Sequence, residues 1–170
     1  MHFAKGENEF DFFNIDIRNI NAGPLIAKYV KEKYGSFVTI LPGKGSSHLL
    51  SEGEVVYLET RRSEYKVSGK DYFGESNVET NDLKNVDGRN VLVLDDMINT
   101  GGTMAKACEL VRKNGANKVI SACVHGLFVG DAIQKLESAK VDEIISTDTV
   151  ESKFSKVSVA PLIAEEVGRL

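Results

Sequence analysis

Val91-Leu92-Val93-Leu94-Asp95-Asp96-Met97-Ile98-Asn99-Thr100-Gly101-Gly102-Thr103 is the stretch on which the reading of this chain turns. Four consecutive aliphatic residues leave no polar face for solvent, so they predict a strand buried on both sides, as in a parallel sheet covered by helices. That strand delivers two adjacent carboxylates at its C-terminal end, where ligands bind in open α/β sheets. Two glycines follow, and backbone N–H groups there approach an anion without side-chain interference. Thr100 and Thr103 add hydroxyl donors, and the N-terminus of the helix behind them favours negative charge. A phosphate in the turn and a pair of sugar hydroxyls on Asp95 and Asp96 fit this order of residues together. Mg²⁺ held near the same carboxylates, directly or through water, fits as well. The bland alternative is a strand-to-helix turn with a capping threonine and a solvated acidic pair. It accounts for each feature singly, but chance seldom assembles all of them in this order.

Outward from this stretch, strand and helix signals alternate, which predicts an α/β fold with a mainly parallel central sheet flanked by helices. A helix is expected over roughly Pro24 to Tyr34, with Leu25, Ile26, Tyr29 and Val30 as its apolar stripe and Gly35 at its end. Phe37 to Leu41 reads as a buried strand, followed by a short helix through Leu49 and Leu50 and a strand at Val55–Leu58. After the central motif, Met104, Ala107, Cys108 and Val111 recur at helical spacing up to Gly115. Val119–Val124, Glu143–Ser146 and Lys156–Val159 read as strands, with helices at Ala132–Leu136 and from Pro161. From about 60 to 88 the chain is polar and longer than an ordinary loop, which predicts a flexible flap or a hairpin.

The 170 residues, 42% hydrophobic and 27% charged, fit a single domain spanning 1–170 with a proper core. A net charge of −4 provides no field to recruit nucleic acid. No apolar run is long enough to cross a bilayer, and the first residues lack the apolar core of a signal peptide, so a cytoplasmic location is expected. Cys108 and Cys123 sit in apolar segments without ligand-spaced neighbours and read as buried structural thiols.

The central motif resembles the 5-phosphoribosyl 1-pyrophosphate (PRPP) signature of type I phosphoribosyltransferases. The resemblance implies that Asp95 and Asp96 contact the ribose hydroxyls and that Thr100, Gly101, Gly102 and Thr103 hold the 5′-phosphate. Asn99 stands where several members carry an acid that assists proton transfer and others carry a neutral residue. Further segments, among them Phe12-Phe13-Asn14-Ile15-Asp16, Val124-His125-Gly126, Thr147-Asp148-Thr149 and Ser158-Val159-Ala160-Pro161, resemble the C-terminal half of ribose-phosphate pyrophosphokinase, over roughly Phe12 to Leu170. That enzyme transfers pyrophosphate from ATP to ribose 5-phosphate.

The chain departs from that pattern in three ways. The half of a pyrophosphokinase that supplies much of its ATP site is absent from this sequence. The flexible-loop Lys-x-Arg of the family falls on Thr60 and Arg62, which leaves the arginine without its lysine unless Lys66 or Lys70 substitutes. The family's Pro-Asp-x-Gly-Gly turn is here Pro42-Gly43-Lys44-Gly45-Ser46, where an ammonium and backbone N–H groups suit pyrophosphate. The same Lys-Gly-Ser resembles the pyrophosphate loop of hypoxanthine-guanine phosphoribosyltransferases. A solvated lysine in a surface turn is the alternative.

Three functions follow. The first is a phosphoribosyltransferase that uses Mg²⁺ and PRPP, with Lys44 and Arg62 stabilising the departing pyrophosphate. The second is a pyrophosphokinase-related half that needs a separate ATP-binding partner. The third is a non-catalytic binder of PRPP or a nucleotide. The resemblance also implies a homo-oligomer. His125 reads as a packed, hydrogen-bonded residue, and His48 as a possible neighbour of the ligand.

Overall fold

The structure, a computed structural model, describes residues 9–11, 16–49, 53–62, 76–79 and 83–169. Its centre is a six-stranded sheet in which every pairing is parallel. Two short antiparallel pairs accompany it. Strand β1 (Glu9–Asp11) pairs with β2 (Asp16–Arg18). The six central strands are β3 (Val38–Leu41), β4 (Val55–Tyr57), β7 (Asn90–Ile98), β8 (Lys118–Gly126), β9 (Glu143–Thr147) and β10 (Ser155–Val157). Between β4 and β7 in sequence, β5 (Glu59–Arg62) pairs antiparallel with β6 (Ser76–Glu79), so the expected hairpin reading of the polar segment holds at its two described arms. Across the main sheet the order is β10-β9-β8-β7-β3-β4.

Alternation along the strands divides the core into two layers. Val91 and Val93 pack with α2 (Gly102–Lys113) and with Leu136 of α3 (Ala132–Ser138). Leu92 and Leu94 point the other way, toward Ile26 and Val30 of α1 (Gly23–Tyr34) and Leu162 of α4 (Ala160–Val167). All four β7 residues are fully buried. Complete burial of one such side chain contributes about 1.5–3 kcal/mol, so this strand anchors the fold. Cys108 and Cys123 are buried free thiols, and burial pushes each up to about 12, so neither is poised as a nucleophile.

Some boundaries differ from the sequence reading. β7 does not stop at Asp95 but runs on to Ile98, because β8 keeps pairing with it as far as Ile98↔Gly126. His125 therefore lies inside β8 rather than after it. The helical turn expected at Leu49 and Leu50 forms earlier, as a 3₁₀ turn at Lys44–Ser46; Leu50 lies outside the described residues. The last strand is Ser155–Val157, and Val159 is already the N-cap of α4.

One polar hub fastens the far end of the sheet. The Arg112 guanidinium donates to the carbonyls of Ala116 (3.2 Å), Asn117 (3.1 Å) and Lys140 (2.7 Å), and to the Asp142 carboxylate. Asp142 in turn accepts the Val119 N–H at 2.7 Å, at the start of β8. The Arg112→Met variant leaves these acceptors without their shared donor and is expected to lower stability by about 2 kcal/mol in urea unfolding, with Arg112→Lys recovering little of it. An unchanged midpoint would show that the hub is solvated and contributes nothing.

Candidate functional site

The site arises from a mismatch in strand length. β3 pairs with β7 only through Val38↔Val91, Thr39↔Leu92 and Ile40↔Val93. Beyond that register the chain leaves the sheet at Pro42 and turns through Lys44–Ser46. β7 carries on for five more residues with β8 as its remaining partner in the sheet. A cleft of about 510 Å³ opens in the gap, between the Pro42–Ser46 turn and the 95–104 stretch. It lies where chain order reverses across the sheet, since β4 follows β3 to one side while β8, β9 and β10 succeed β7 to the other. Crevices at such a switch point are where open parallel sheets bind ligands.

Asp95, Asp96, Asn99, Thr100, Gly101, Gly102, Thr103, Gly45 and Ser46, each expected at the site from sequence, all line this one cleft. The backbone of Lys44 lies in the same turn as Gly45, while its side chain lies outside the described residues. Arg62 is the last residue of β5, where it pairs with Ser76; its side chain, together with Lys66 and Lys70, lies outside the described residues as well. Phe12 and Phe13 also fall outside them.

The acidic pair is electrostatically loaded. Burial, and then the neighbouring Asp96 charge, push the Asp95 carboxyl up to about 7. Opposing this, the Asp96 N–H donates to Asp95 Oδ1 at 2.9 Å. The Ser46 hydroxyl, almost fully buried, donates to the Gly43 carbonyl at 3.0 Å and stands close enough to Asp95 to favour its charged form, so the turn meets the acid pair across the cleft.

The loop after the acids is shaped to take an anion. Gly101 is the N-cap of α2 with φ +72°, a left-handed conformation that any Cβ would strain. A Cβ there would also lie 2.9 Å from the Ala132 carbonyl oxygen and 3.2 Å from the Ala132 Cβ. Glycine is thus required twice at this position. No side-chain hydrogen bond caps α2 at Gly101, and the positive end of this twelve-residue helix faces the cleft. The capping-threonine alternative is thereby corrected, because the N-cap is glycine.

Three supporting features had no sequence signal, since each joins segments far apart in the chain. The Leu127 and Phe128 N–H groups both donate to the Ile98 carbonyl at 3.0 Å, and Val129 N–H donates to the Asn99 carbonyl at 2.8 Å. Lys135 Nζ donates to the Thr100 carbonyl at 3.2 Å. Asn21 accepts the Gly23 N–H at 2.9 Å and donates to the His48 and Leu49 carbonyls at 2.9 and 3.2 Å, which fastens the segment after the Lys44–Ser46 turn to the start of α1. On the α1 side of Asp96 a smaller hollow of about 170 Å³ brings His48 and His125 to one wall. As expected, His125 is hydrogen bonded, its Nδ1 lying 2.9 Å from the Thr149 hydroxyl. Thr149 and Thr147 both donate to the Val124 carbonyl, and Asp148 accepts the Val159 N–H at the start of α4. Thr147-Asp148-Thr149 is therefore a fastening between β8, β9 and α4.

The raised Asp95 has a measurable consequence. An ordinary carboxyl titrates near 3.9, so the folded state binds the Asp95 proton more tightly than the unfolded chain does. Stability from this group is complete below about pH 4 and is lost as pH rises through about 7. The Asp95→Asn variant is expected to melt at least about 3 °C higher than the parent at pH 8, a gain that disappears near pH 4. A lower melting temperature at pH 8 would show that the carboxylate is held by partners stronger than those described.

Comparison with known proteins places the geometry in context. The ribose-phosphate pyrophosphokinase of Methanopyrus kandleri is 36% identical over 162 residues, covering 94% of this chain and 54% of its own length. That of Methanothermobacter thermautotrophicus is 38% identical over 160 residues, covering 91% and 53%. Among solved structures, phosphoribosylpyrophosphate synthetase from Mycobacterium smegmatis superimposes with a TM-score of 0.62 at 26% identity, over 86% of this chain and 49% of its own. The chain spans about half the length of the curated relatives it matches. The profile of the phosphoribosyl synthetase-associated domain matches residues 78–170, a span that takes in the acid pair, its loop and every strand from β7 onward, and on that match the chain belongs to this family.

Proposed function

We propose that the cleft binds 5-phosphorylated ribose, as ribose 5-phosphate and as PRPP, and that the chain serves pyrophosphoryl transfer as one half of a ribose-phosphate pyrophosphokinase-type system. The observation that carries this reading is that one cleft gathers three kinds of group: the glycine-capped start of α2, two carboxylates, and a glycine-serine turn across the gap. The 5′-phosphate takes the Thr100–Thr103 loop, where backbone N–H groups and the α2 N-terminus favour an anion. The ribose hydroxyls donate to Asp95 and Asp96, which orients the sugar. The pyrophosphoryl group lies toward Gly45, Ser46 and the Lys44 ammonium.

Mg²⁺ fits the donor set. Asp95 and Asp96 offer hard oxygen ligands, and among the described residues no group of three or more His, Cys, Asp or Glu stands ready to ligate a metal. Asp95 and Asp96 would hold such an ion, and water and phosphate oxygens would supply its remaining ligands, as suits Mg²⁺. When bound, Mg²⁺ neutralises charge on the phosphate groups. The chain's own contribution is positioning: the loop fixes the 5′-phosphate and the carboxylates fix the hydroxyls.

The pyrophosphokinase reading is favoured because the relatives carry that name and the chain matches only about half of each. On this reading the ATP-binding groups lie outside this sequence, and they are supplied by the other half of the system. A phosphoribosyltransferase is the second reading, favoured by the Lys44-Gly45-Ser46 turn, in which a nitrogen nucleophile attacks C1 of PRPP as pyrophosphate leaves past Lys44 and Arg62. Both readings place the protein in the cytoplasm as a homo-oligomer.

Calorimetric titration with ribose 5-phosphate and PRPP in Mg²⁺ tests the shared core of both readings. Saturable binding of either ligand supports it, and binding of neither overturns it. Turnover of ATP and ribose 5-phosphate to PRPP only when a partner half is added selects the first reading; pyrophosphate release from PRPP with an added base selects the second. Gly101→Leu fills the space against Ala132 and is expected to weaken phosphorylated-ribose binding about hundredfold, the loss of about two charge-assisted hydrogen bonds. Affinity in Mg²⁺ is also expected to rise between pH 6 and pH 8 as Asp95 ionises, so flat affinity over that range would remove Asp95 from the binding step.

A further inference from the structure

The phosphate loop is held from behind by a helix that the sequence does not connect with it. α3 contributes no residue to the cleft, yet its first turn stands against the loop: a Cβ at Gly101 would lie 2.9 to 3.2 Å from Ala132 atoms. One turn further along, Lys135 Nζ donates to the Thr100 carbonyl at 3.2 Å while pairing with Asp131 at 2.7 Å. The Asp131 carboxyl, held below its usual range by that pair, keeps the ammonium in place over the peptide.

From this arrangement we propose that Lys135 is a positioning residue for phosphate, acting through the Thr100–Gly101 peptide without touching the ligand. The proposal rests on the phosphorylated-ribose reading of the cleft. A trans peptide points its carbonyl and its N–H in opposite directions. Fastening the Thr100 carbonyl toward α3 therefore turns the Gly101 N–H away from α3, toward the side where no α3 residue lines the cleft. The ammonium also polarises that peptide, which makes its N–H a somewhat stronger donor. The close approach of Ala132 prevents the loop from relaxing backward. The β8–α3 connection restrains the same loop from its other end, since Leu127, Phe128 and Val129 bond the Ile98 and Asn99 carbonyls. Phe128 adopts φ +47°, uncommon for an aromatic residue, and its ring packs edge-on to Phe154 at 5.1 Å. The loop is thus clamped before and after Thr100, and Lys135 provides the charged contact.

The test compares Lys135→Met and Lys135→Arg with the parent chain in two measurements. In calorimetry with ribose 5-phosphate, the methionine variant is expected to bind about tenfold more weakly, the effect of one hydrogen bond to a charged group, with arginine restoring most of the affinity. In the ligand-free protein, the Gly101 amide resonance is expected to shift and its hydrogen exchange to quicken in Lys135→Met, while amides of β7 stay unchanged. Ribose 5-phosphate affinity within twofold of the parent, or a methionine variant whose Gly101 amide is unmoved, overturns the proposal. If the parent chain itself binds no phosphorylated ribose, the reading of the cleft fails, and the Gly101 amide still decides whether Lys135 sets the peptide.

Discussion

β7 outruns β3 by five residues, and the site depends on that inequality. A strand buried on both faces normally has a neighbour on each side along its length, because unpaired backbone polar groups are costly inside a protein. Here β8 supplies the neighbour on one side as far as Ile98, while β3 withdraws after Val93 and turns away at Pro42. The vacated side becomes the cleft. Its floor continues directly from Val91–Leu94, four fully buried residues, so its two carboxylates project from backbone that cannot easily move. Rigid support matters for a site whose task is to hold a ligand in one orientation.

The position has an energetic cost. Burial raises the charging energy of Asp95, and the neighbouring Asp96 charge adds repulsion to it. The Asp96 amide and the Ser46 hydroxyl offset only part of it. A structural strand end would gain nothing from keeping both carboxylates. On the proposed reading, sugar hydroxyls and a divalent cation lower the cost of keeping Asp95 charged. A perturbed carboxyl in a cleft is a recognised mark of function, and here the same cleft is lined by a glycine turn and the glycine-capped start of α2.

The two walls of the cleft are fastened by different means. The Pro42–Ser46 turn is closed on itself by the Ser46 hydroxyl bonding the Gly43 carbonyl and, through the His48 and Leu49 carbonyls, is tied to the start of α1 by Asn21. The Thr100–Thr103 loop is wedged by Ala132 and tied by Lys135. Apolar packing carries the sheet, while the loops that frame the site are held almost entirely by hydrogen bonds to backbone carbonyls. Such bonds fix direction better than hydrophobic contact does, since contact is non-directional. The matched relatives are about twice as long as this chain, so on the proposed reading one framed wall of phosphate and ribose contacts is completed by groups from elsewhere.

By itself the sequence determined that β7 is buried on both faces, because Val91–Leu94 has no polar alternate, and that a glycine turn and a helix start follow the acid pair. The helical stripe Met104, Ala107, Cys108, Val111 and the parallel sheet were legible for the same reason: side-chain period is a local property of the chain. The ligand groups clustered around Asp95, Asp96 and Thr100–Thr103 were legible too, since they are contiguous. What only the tertiary structure decided is everything that joins distant segments. It set how far β7 extends, which depended on β8, and it placed the turn at Lys44–Ser46 across from Asp95. It also placed Ala132 and Lys135, more than thirty residues downstream, behind Gly101 and Thr100. No local pattern encodes such contacts, because they depend on how the helices settle on the sheet rather than on the residues that each segment carries.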